Sequence, residues 1–265
     1  MTSSVVANSS SLSKEICQLA VEVAAGRGNA EILRHKRAEV LTARAWLSCG
    51  RSVIFKMWND SGPRAMLRRM AGRSRSQREW RALNALHRRQ VGVPEPLEWI
   101  TLPVAAEYRD AVCTADLGEV ERGSDHLRSL LGQGSDGDAQ RFEDQVIELT
   151  HDFISTGVLD LDHTLTNVVV PADGRAVRVD LELTVPATFP GLHTEAFARM
   201  IALLIGTVTF AVQPDLGRAC EFAGRLAQKV SPPKSVLQRT RAIIDKMMER
   251  QKCQCGVDSQ VELPW

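Results

Sequence analysis

The 265-residue chain concentrates its chemistry in one stretch, Val158 to Asp180. Asp162, Asn167 and Asp180 offer three spaced oxygen donors on what reads as a loop, a strand, a turn and a second strand. Asp173-Gly174 between two Val-rich runs is a hairpin signal, and a hairpin would return Asp180 to the side of Asn167. One carboxylate beside an acceptor hydroxyl, with an amide and a second carboxylate to hold magnesium ions, is the arrangement that phosphoryl transfer from a nucleotide requires.

Two enzyme classes compete for these residues. The spacing of Asp162-x4-Asn167 matches the protein-kinase catalytic loop. The run Asp160-Leu161-Asp162-His163-Thr164 also looks like the first motif of the haloacid dehalogenase phosphatases, in which Asp160 would be the nucleophile and Asp162 the acid/base. That motif should end a strand and enter a helix within a parallel sheet, yet here it enters a Val-rich hairpin. No Gly-Asp-x3-Asp or Asp-Asp follows Asp162 either, so the kinase reading is preferred.

A kinase needs a lysine for the nucleotide phosphates and an acid to orient it. Ser52 to Trp58 reads as the second strand of a hairpin with Ala38 to Trp46, and alternation puts Ile54, Lys56 and Trp58 on one face. Lys56 has two readings, a stem that snorkels to the sheet edge or an ammonium pointing into a cleft. A short helix through Met66, Leu67 and Met70 stops at Gly72, and a longer one is predicted from about Ser76 to Gln90. Glu79 is the single acid between Gly62 and Gln90 and so the local partner for Lys56. Ser76-Gln77-Arg78-Glu79 is also a capping box, which would instead turn Glu79 to the helix's own backbone.

Further on, short strands are predicted at Leu97 to Leu102, Val104 to Arg109 and Ala111 to Ala115. Helices are predicted at Leu127 to Leu131, at Gln140 to Ser155 with an apolar stripe of Phe142, Val146, Leu149 and Phe153, and at Glu195 to Val212, Arg218 to Val230 and Lys234 to Gln251. A helix over Leu12 to Ala25 packs on the main body, while Met1 to Ser11 reads as a disordered lead-in with no signal-peptide pattern. The longest apolar run, Met200 to Val212, is well short of the roughly 20 residues that span a bilayer and fits a buried helix.

Composition excludes little but is consistent. Hydrophobic residues make up 44% and charged residues 25%, which is ordinary for a soluble globular protein, and a net charge of +1 argues against a globally basic nucleic-acid binder. The six cysteines are scattered; Cys253-Gln254-Cys255 is one close pair with no histidine after it, so reduced thiols are expected rather than zinc, in a tail that reads as loose. Nine arginines between Arg64 and Arg89 accompany one acid, which suggests a patch for phosphate groups or an anionic membrane surface rather than self-paired salt bridges.

Taken in order, the pieces resemble the lipopolysaccharide core sugar kinases, which phosphorylate heptose or Kdo and belong to the protein-kinase-like superfamily. The resemblance covers roughly residues 30–185: Leu33-Arg-His-Lys-Arg37, Gly50 to Lys56, Glu79 to Leu86 followed by Val93-Pro-Glu-Pro-Leu97, and Asp162-x4-Asn167 leading to Val179-Asp180-Leu181. It implies an α+β, bilobal protein-kinase-like fold with a small antiparallel-sheet N-lobe carrying a helix and a mainly helical C-lobe. Residues 1–27 would be an extension, 28–115 the N-lobe, 116–250 the C-lobe and 251–265 a tail.

By position, Lys56 would bind phosphate, Glu79 orient Lys56, Asp162 position the acceptor hydroxyl, and Asn167 and Asp180 hold Mg2+. Backbone groups at Thr114, Ala115 and Asp116 would receive the adenine of ATP. The implied acceptor is a sugar of the lipopolysaccharide core or a related anionic sugar, with another small molecule or protein Ser/Thr, or an inactive scaffold, as alternatives. Nucleic acid is not an expected partner, and a cytoplasmic location with peripheral contact to the inner membrane surface is. Asp160-Leu161 replaces the usual His-Arg, Glu182 replaces a common Gly, and no Gly-rich loop precedes Lys56.

Overall fold

The structure, a computed structural model, describes the backbone of residues 3–36, 39–103, 106–187, 190–255 and 263–265, and the side chains of these except 3–10, 36, 190–192 and 251–255. The chain divides into two units. One comprises the chain up to His87 together with Pro94–Gly118, the other Arg88–Val93 together with the chain from Glu119.

The first unit is built on a five-stranded antiparallel sheet. Its elements are α1 (Ser3–Ala24), β1 (Ala30–Lys36), β2 (Val40–Trp46), β3 (Ser52–Trp58), α2 (Pro63–Met70), α3 (Arg75–His87), β4 (Pro96–Thr101) and β5 (Asp110–Ala115). The sheet order is β1-β2-β3-β5-β4. Alternation along β3 sends its side chains to two different layers. Phe55 and Met57 are fully buried in a cluster with Ile16, Ala20 and Val23 of α1, so α1 covers one face. Lys56, of opposite parity, meets α3 on the other face.

Several expectations for this unit need correction. The helix described from Ser3 starts inside the stretch expected to be a lead-in. Strand β1 was not foreseen, because Glu31, Arg34, His35 and Lys36 hide it: it is an edge strand, exposed along Glu31 to His35, and such strands carry charge without penalty. The strand expected over Val104 to Arg109 is absent among the described residues; 106–109 form bends, and Val104 and Ala105 lie outside the described residues.

The second unit contains β6 (Val120–Arg122), α4 (Gly123–Gly132), α5 (Asp136–Ser155), β7 (Val158–Asp160), β8 (Val168–Pro171), β9 (Val177–Arg178), β10 (Thr184–Pro186), α6 (Pro190–Val212), α7 (Leu216–Val230) and α8 (Lys234–Cys255). The predicted stripe of α5 is buried in full. Gly157 follows α5 with φ 74°, a left-handed exit that glycine takes without steric cost. Helix α5 is also clamped to α7 by charge: buried Glu143 accepts from Arg218 Nε at 2.6 Å and from Arg225. Helix α6 is the one helix among the described residues long and apolar enough to cross a membrane, yet 72% of its apolar window is buried inside the protein, as a core helix requires.

Two further corrections concern pairing and the end of the chain. Strands β6 and β10 were missed; they are three residues each and gain order from distant partners, β8 and β7 respectively. The end expected to be loose packs back, with Leu263 buried and Trp265 Nε1 donating to Leu237 O at 3.3 Å. Helix α8 runs on through Cys255, and the side chains of Cys253 and Cys255 lie outside the described residues.

Candidate active site

In the sheet unit, Lys56 is presented by the centre of a regular strand, and its stem is fixed because both sequence neighbours are locked in the core on the opposite face. Its Nζ donates to Glu79 Oε2 at 2.8 Å, and the two side chains are only 15% and 8% exposed. The ammonium also lies 5.1 Å from the Trp58 ring centroid, a cation–π contact made by the residue two along the same face. The snorkelling reading of Lys56 therefore fails.

The capping-box reading of Glu79 fails for a specific reason. Helix α3 starts one residue before Ser76, and the box is made by Ser74 and Gln77: Gln77 N donates to Ser74 Oγ at 3.2 Å, and Ser74 N donates to Gln77 Oε1 at 3.1 Å. That leaves the Glu79 carboxylate for Lys56. Ser76 turns inward and donates to Asp110 Oδ2 at 3.1 Å, a buried carboxylate that also takes Arg69 Nε at 3.1 Å. The start of α3, and so the height of Glu79 above the sheet, is pinned from both sides.

Thr114 and Ala115 close β5, with Thr114 paired to Ile54 and the Ala115 N–H donating to Glu95 O at 2.9 Å. Asp116 accepts from Arg44 Nε at 2.7 Å and from Gly118 N at 3.0 Å. These residues thus form a braced turn at the end of the sheet.

In the helical unit the candidate residues sit on irregular backbone, and buried charge shapes it. Asp160 ends β7 with a fully buried side chain. The guanidinium of Arg178, also fully buried, pairs with Asp160 through Nη2. The same Nη2 donates to Asp162 O at 2.8 Å, while Nη1 donates to Asn167 O at 2.9 Å and to Val179 O. One side chain on the hairpin therefore ties the carbonyls of both loop residues, Asp162 and Asn167, to the segment that carries Asp180. Burial alone would raise the Asp160 carboxyl, but Arg178, His163 and the Asp162 N–H at 3.0 Å together hold it down at about 2.

His163 stands behind Asp160, fully buried, with Nδ1 3.6 Å from Asp160 Oδ2 and Nε2 2.9 Å from Thr150 Oγ1 of α5. Its burial lowers its pKa, which outweighs the pull of the Asp160 charge. The loop is closed by Leu165 N donating to Thr207 Oγ1 at 2.9 Å and Arg199 Nε donating to Leu161 O at 2.9 Å, both from α6. The Asp162 side chain itself is half-buried.

The hairpin returns the chain as expected, by a longer route. Val168 pairs with Arg178, Val169 with Val177, and Val179 N donates to Asn167 O at 2.9 Å, which puts Asn167 opposite the residue before Asp180. The connection runs from Ala172 to Ala176 instead of a two-residue Asp-Gly turn, with Gly174 at φ 76°. Asn167 Nδ2 donates to Asp162 Oδ2 at 3.0 Å and to Asp162 O at 3.1 Å. With Nδ2 engaged by Asp162, the amide oxygen is the polar atom of Asn167 not used in these bonds. Asp180 has φ 63°, a left-handed conformation uncommon outside glycine, though aspartate adopts it more readily than most residues. An amide oxygen and a carboxylate form a hard, all-oxygen donor set that fits magnesium.

Sequence reasoning missed Arg178 and His163 as determinants of this site. A signal was present: a single arginine in an otherwise apolar strand two residues before Asp180 has no ordinary place there unless it is paired. The structure also corrects the phosphatase alternative. Asp160 is buried and committed to Arg178, so it cannot present a carboxylate to a substrate as a nucleophile would.

The family model described as Lipopolysaccharide kinase (Kdo/WaaP) family matches residues 55–190, about half of the chain, from the strand of Lys56 to beyond Asp180. No match is found among curated proteins. Among solved structures, the ROP18 kinase domain in complex with AMP-PNP and sucrose is similar at a TM-score of 0.52 and 14% identity, over 90% of this chain and 83% of that one. The Rio2 kinase-ADP/Mg2+-phosphoaspartate complex from Chaetomium thermophilum gives a TM-score of 0.43 and 13% identity, over 89% and 76%. The fold is α+β and protein-kinase-like, with an antiparallel-sheet N-terminal part and a helical C-terminal part.

Proposed function

The chain belongs to the lipopolysaccharide kinase (Kdo/WaaP) family and is an ATP-dependent phosphotransferase, and from that premise we propose that it phosphorylates a sugar hydroxyl of the lipopolysaccharide inner core, using Asp162, Lys56, Glu79, Asn167 and Asp180. In this reading the sheet unit handles the nucleotide phosphates and the helical unit carries the catalytic and metal-binding loops. The turn from Thr114 to Asp116 receives adenine through its backbone. The acceptor is carried on a lipid, so the enzyme works on the cytoplasmic side, in peripheral contact with the inner membrane surface.

The observation that carries the reading is the constellation Asp162–Asn167–Asp180. Asn167 holds one oxygen of Asp162 by a hydrogen bond, and the hairpin register sets Asn167 beside the segment of Asp180. The other Asp162 oxygen accepts the proton of the acceptor hydroxyl as that oxygen bonds to the γ-phosphorus and the bond from the γ-phosphorus to the β,γ-bridging oxygen breaks, releasing ADP. Lys56, held by Glu79, donates to phosphate oxygens. Asn167 and Asp180 would hold magnesium, which when bound offsets charge on the β- and γ-phosphate oxygens. Positioning and fixed charge carry such a reaction, and both are features of this site.

The test is transfer of label from γ-labelled ATP to purified lipopolysaccharide core lacking phosphate. Label should appear on the sugar, and Asp162→Ala should lower kcat by about 10²–10⁴-fold while nucleotide affinity changes little. Undiminished transfer by Asp162→Ala, or label on protein hydroxyls in place of sugar, would overturn the assignment.

A further inference from the structure

Helix α2 is built inside out. Among the described residues seven large apolar side chains are exposed, and three of them, Met66, Leu67 and Met70, lie on this eight-residue helix at 62%, 65% and 75% exposure. No residue of α2 is buried. At 100° per residue, Met66, Met70, Pro63 and Leu67 share one arc, Arg64 and Arg68 lie next to it, and Ala65 and Arg69 take the remaining side. That remaining side is the one that meets the protein: Ala65 and Arg69 are the two residues of α2 that are partly covered, and Arg69 is the anchor, through its ion pair with buried Asp110.

A short helix has little stability of its own, so tertiary ties decide its orientation. Here those ties are polar. Besides Arg69 to Asp110, Arg81 Nη1 donates to Gly72 O at 2.6 Å just beyond the helix, whose own end is closed locally by Arg73 N donating to Arg68 O at 2.6 Å. They hold the apolar arc outward, where it gains nothing from the fold. Exposed Arg64 and Arg68 flank it on one side, and exposed Arg73 follows the helix. The arginine-rich stretch as a whole is not one patch: Arg69 and Arg75 serve Asp110 and Glu39.

We infer that α2 is a membrane-docking helix, which lays Met66, Leu67 and Met70 among the acyl chains of an anionic bilayer surface while Arg64, Arg68 and Arg73 bind the lipid phosphates. The inference rests on the lipid-linked acceptor proposed above. Its chemistry is that of interfacial helices, in which apolar area and attraction to anionic headgroups each supply part of the binding. Methionine and leucine are unbranched at Cβ and adapt to a fluid surface. Arginine meets phosphate with two parallel hydrogen bonds.

The full chain should be sedimented with vesicles of phosphatidylcholine alone and of equal parts phosphatidylcholine and phosphatidylglycerol. The parent should partition onto the anionic vesicles and not the neutral ones. Met66→Ser/Leu67→Ser/Met70→Ser should weaken partition roughly tenfold or more at any salt. Arg64→Gln/Arg68→Gln/Arg73→Gln should weaken it on the order of a hundredfold at low salt, and the difference from the parent should shrink as salt screens exposed charge. Both variants change exposed side chains and should bind ATP like the parent. Equal partition of the parent and the serine variant, or no partition of the parent, would overturn the inference and leave the face to a protein partner. Docking through α2 by a chain that transfers no phosphate to lipopolysaccharide would uphold this surface and remove the acceptor assignment instead.

Discussion

The two sets of candidate residues, one in each unit, are held by different physics. Lys56 and Glu79 sit on regular elements, a central strand and a helix, and a single ion pair joins side chains that the elements have already placed. Asp162 and Asn167 sit on a loop with little regular structure to place them, and there the placement is done by a fully buried arginine that bonds the loop carbonyls directly. Where the backbone is regular, the charge pair tunes; where it is irregular, the charge is the scaffold. A buried pair of this kind adds little net stability compared with an apolar replacement, but losing one partner leaves the other stranded.

The contrast can be broken most severely at Arg178. Replacing it by Met should destabilise the fold by about 3–5 kcal/mol in chemical denaturation, because buried Asp160 is left unpaired. The double change Asp160→Leu/Arg178→Met should recover much of that loss while transfer stays defective, since stability returns without the bonds to Asp162 and Asn167. Full activity in the double variant would show that the loop holds its shape without the arginine.

Acid sharpens the same point. Asp160 is lowered from 3.8 to about 2 in the folded state, so the unfolded chain binds its proton first and stability falls as pH drops through that window. The loss is on the order of 2 kcal/mol. Buried His163, also shifted down, adds an earlier loss of the same sign as pH falls below its unperturbed 6.5. Denaturation midpoints across acidic pH should decline in the parent, and the steepest lower limb should vanish in Asp160→Leu/Arg178→Met.

On the other side, Glu79→Gln should leave the fold almost unchanged and lower kcat roughly tenfold, about 1.4 kcal/mol of transition-state stabilisation. Steady-state kinetics beside a denaturation curve separates the two effects. A stability loss as large as that of Arg178→Met would erase the distinction between the two regions. The smallest effect is expected at the cap: Ser74→Ala should cost about 1 kcal/mol of stability, with the Lys56–Glu79 pair intact, whereas Ser76→Ala should also loosen the Asp110 anchor of α3.

Local pattern was enough for the regular half. Lys56 was legible because strand alternation and its apolar neighbours placed it, and Glu79 because no other acid lies on that helix. The α5 stripe was legible because a period of 3.6 is written in consecutive residues. Local pattern misled where two local rules shared residues: Ser76 and Glu79 fit a capping box, but the helix begins one residue earlier and the box belongs to Ser74 and Gln77. It was silent for β1, a charged edge strand paired with the adjacent β2, and for β6 and β10, which are three residues long and owe their order to partners far along the chain.

The donors Asp162, Asn167 and Asp180, their spacing and the hairpin that returns the segment of Asp180 to the side of Asn167 are properties of consecutive residues, and they were readable as such. That Asp160 is a buried anchor and no nucleophile, that Arg178 braces the loop, and that α2 turns its apolar arc outward are all decided by burial. Burial depends on which distant segments cover a side chain. No local spacing encodes that cover, so only the folded chain distinguishes an aspartate left half-exposed from one two residues away that meets an arginine in the core.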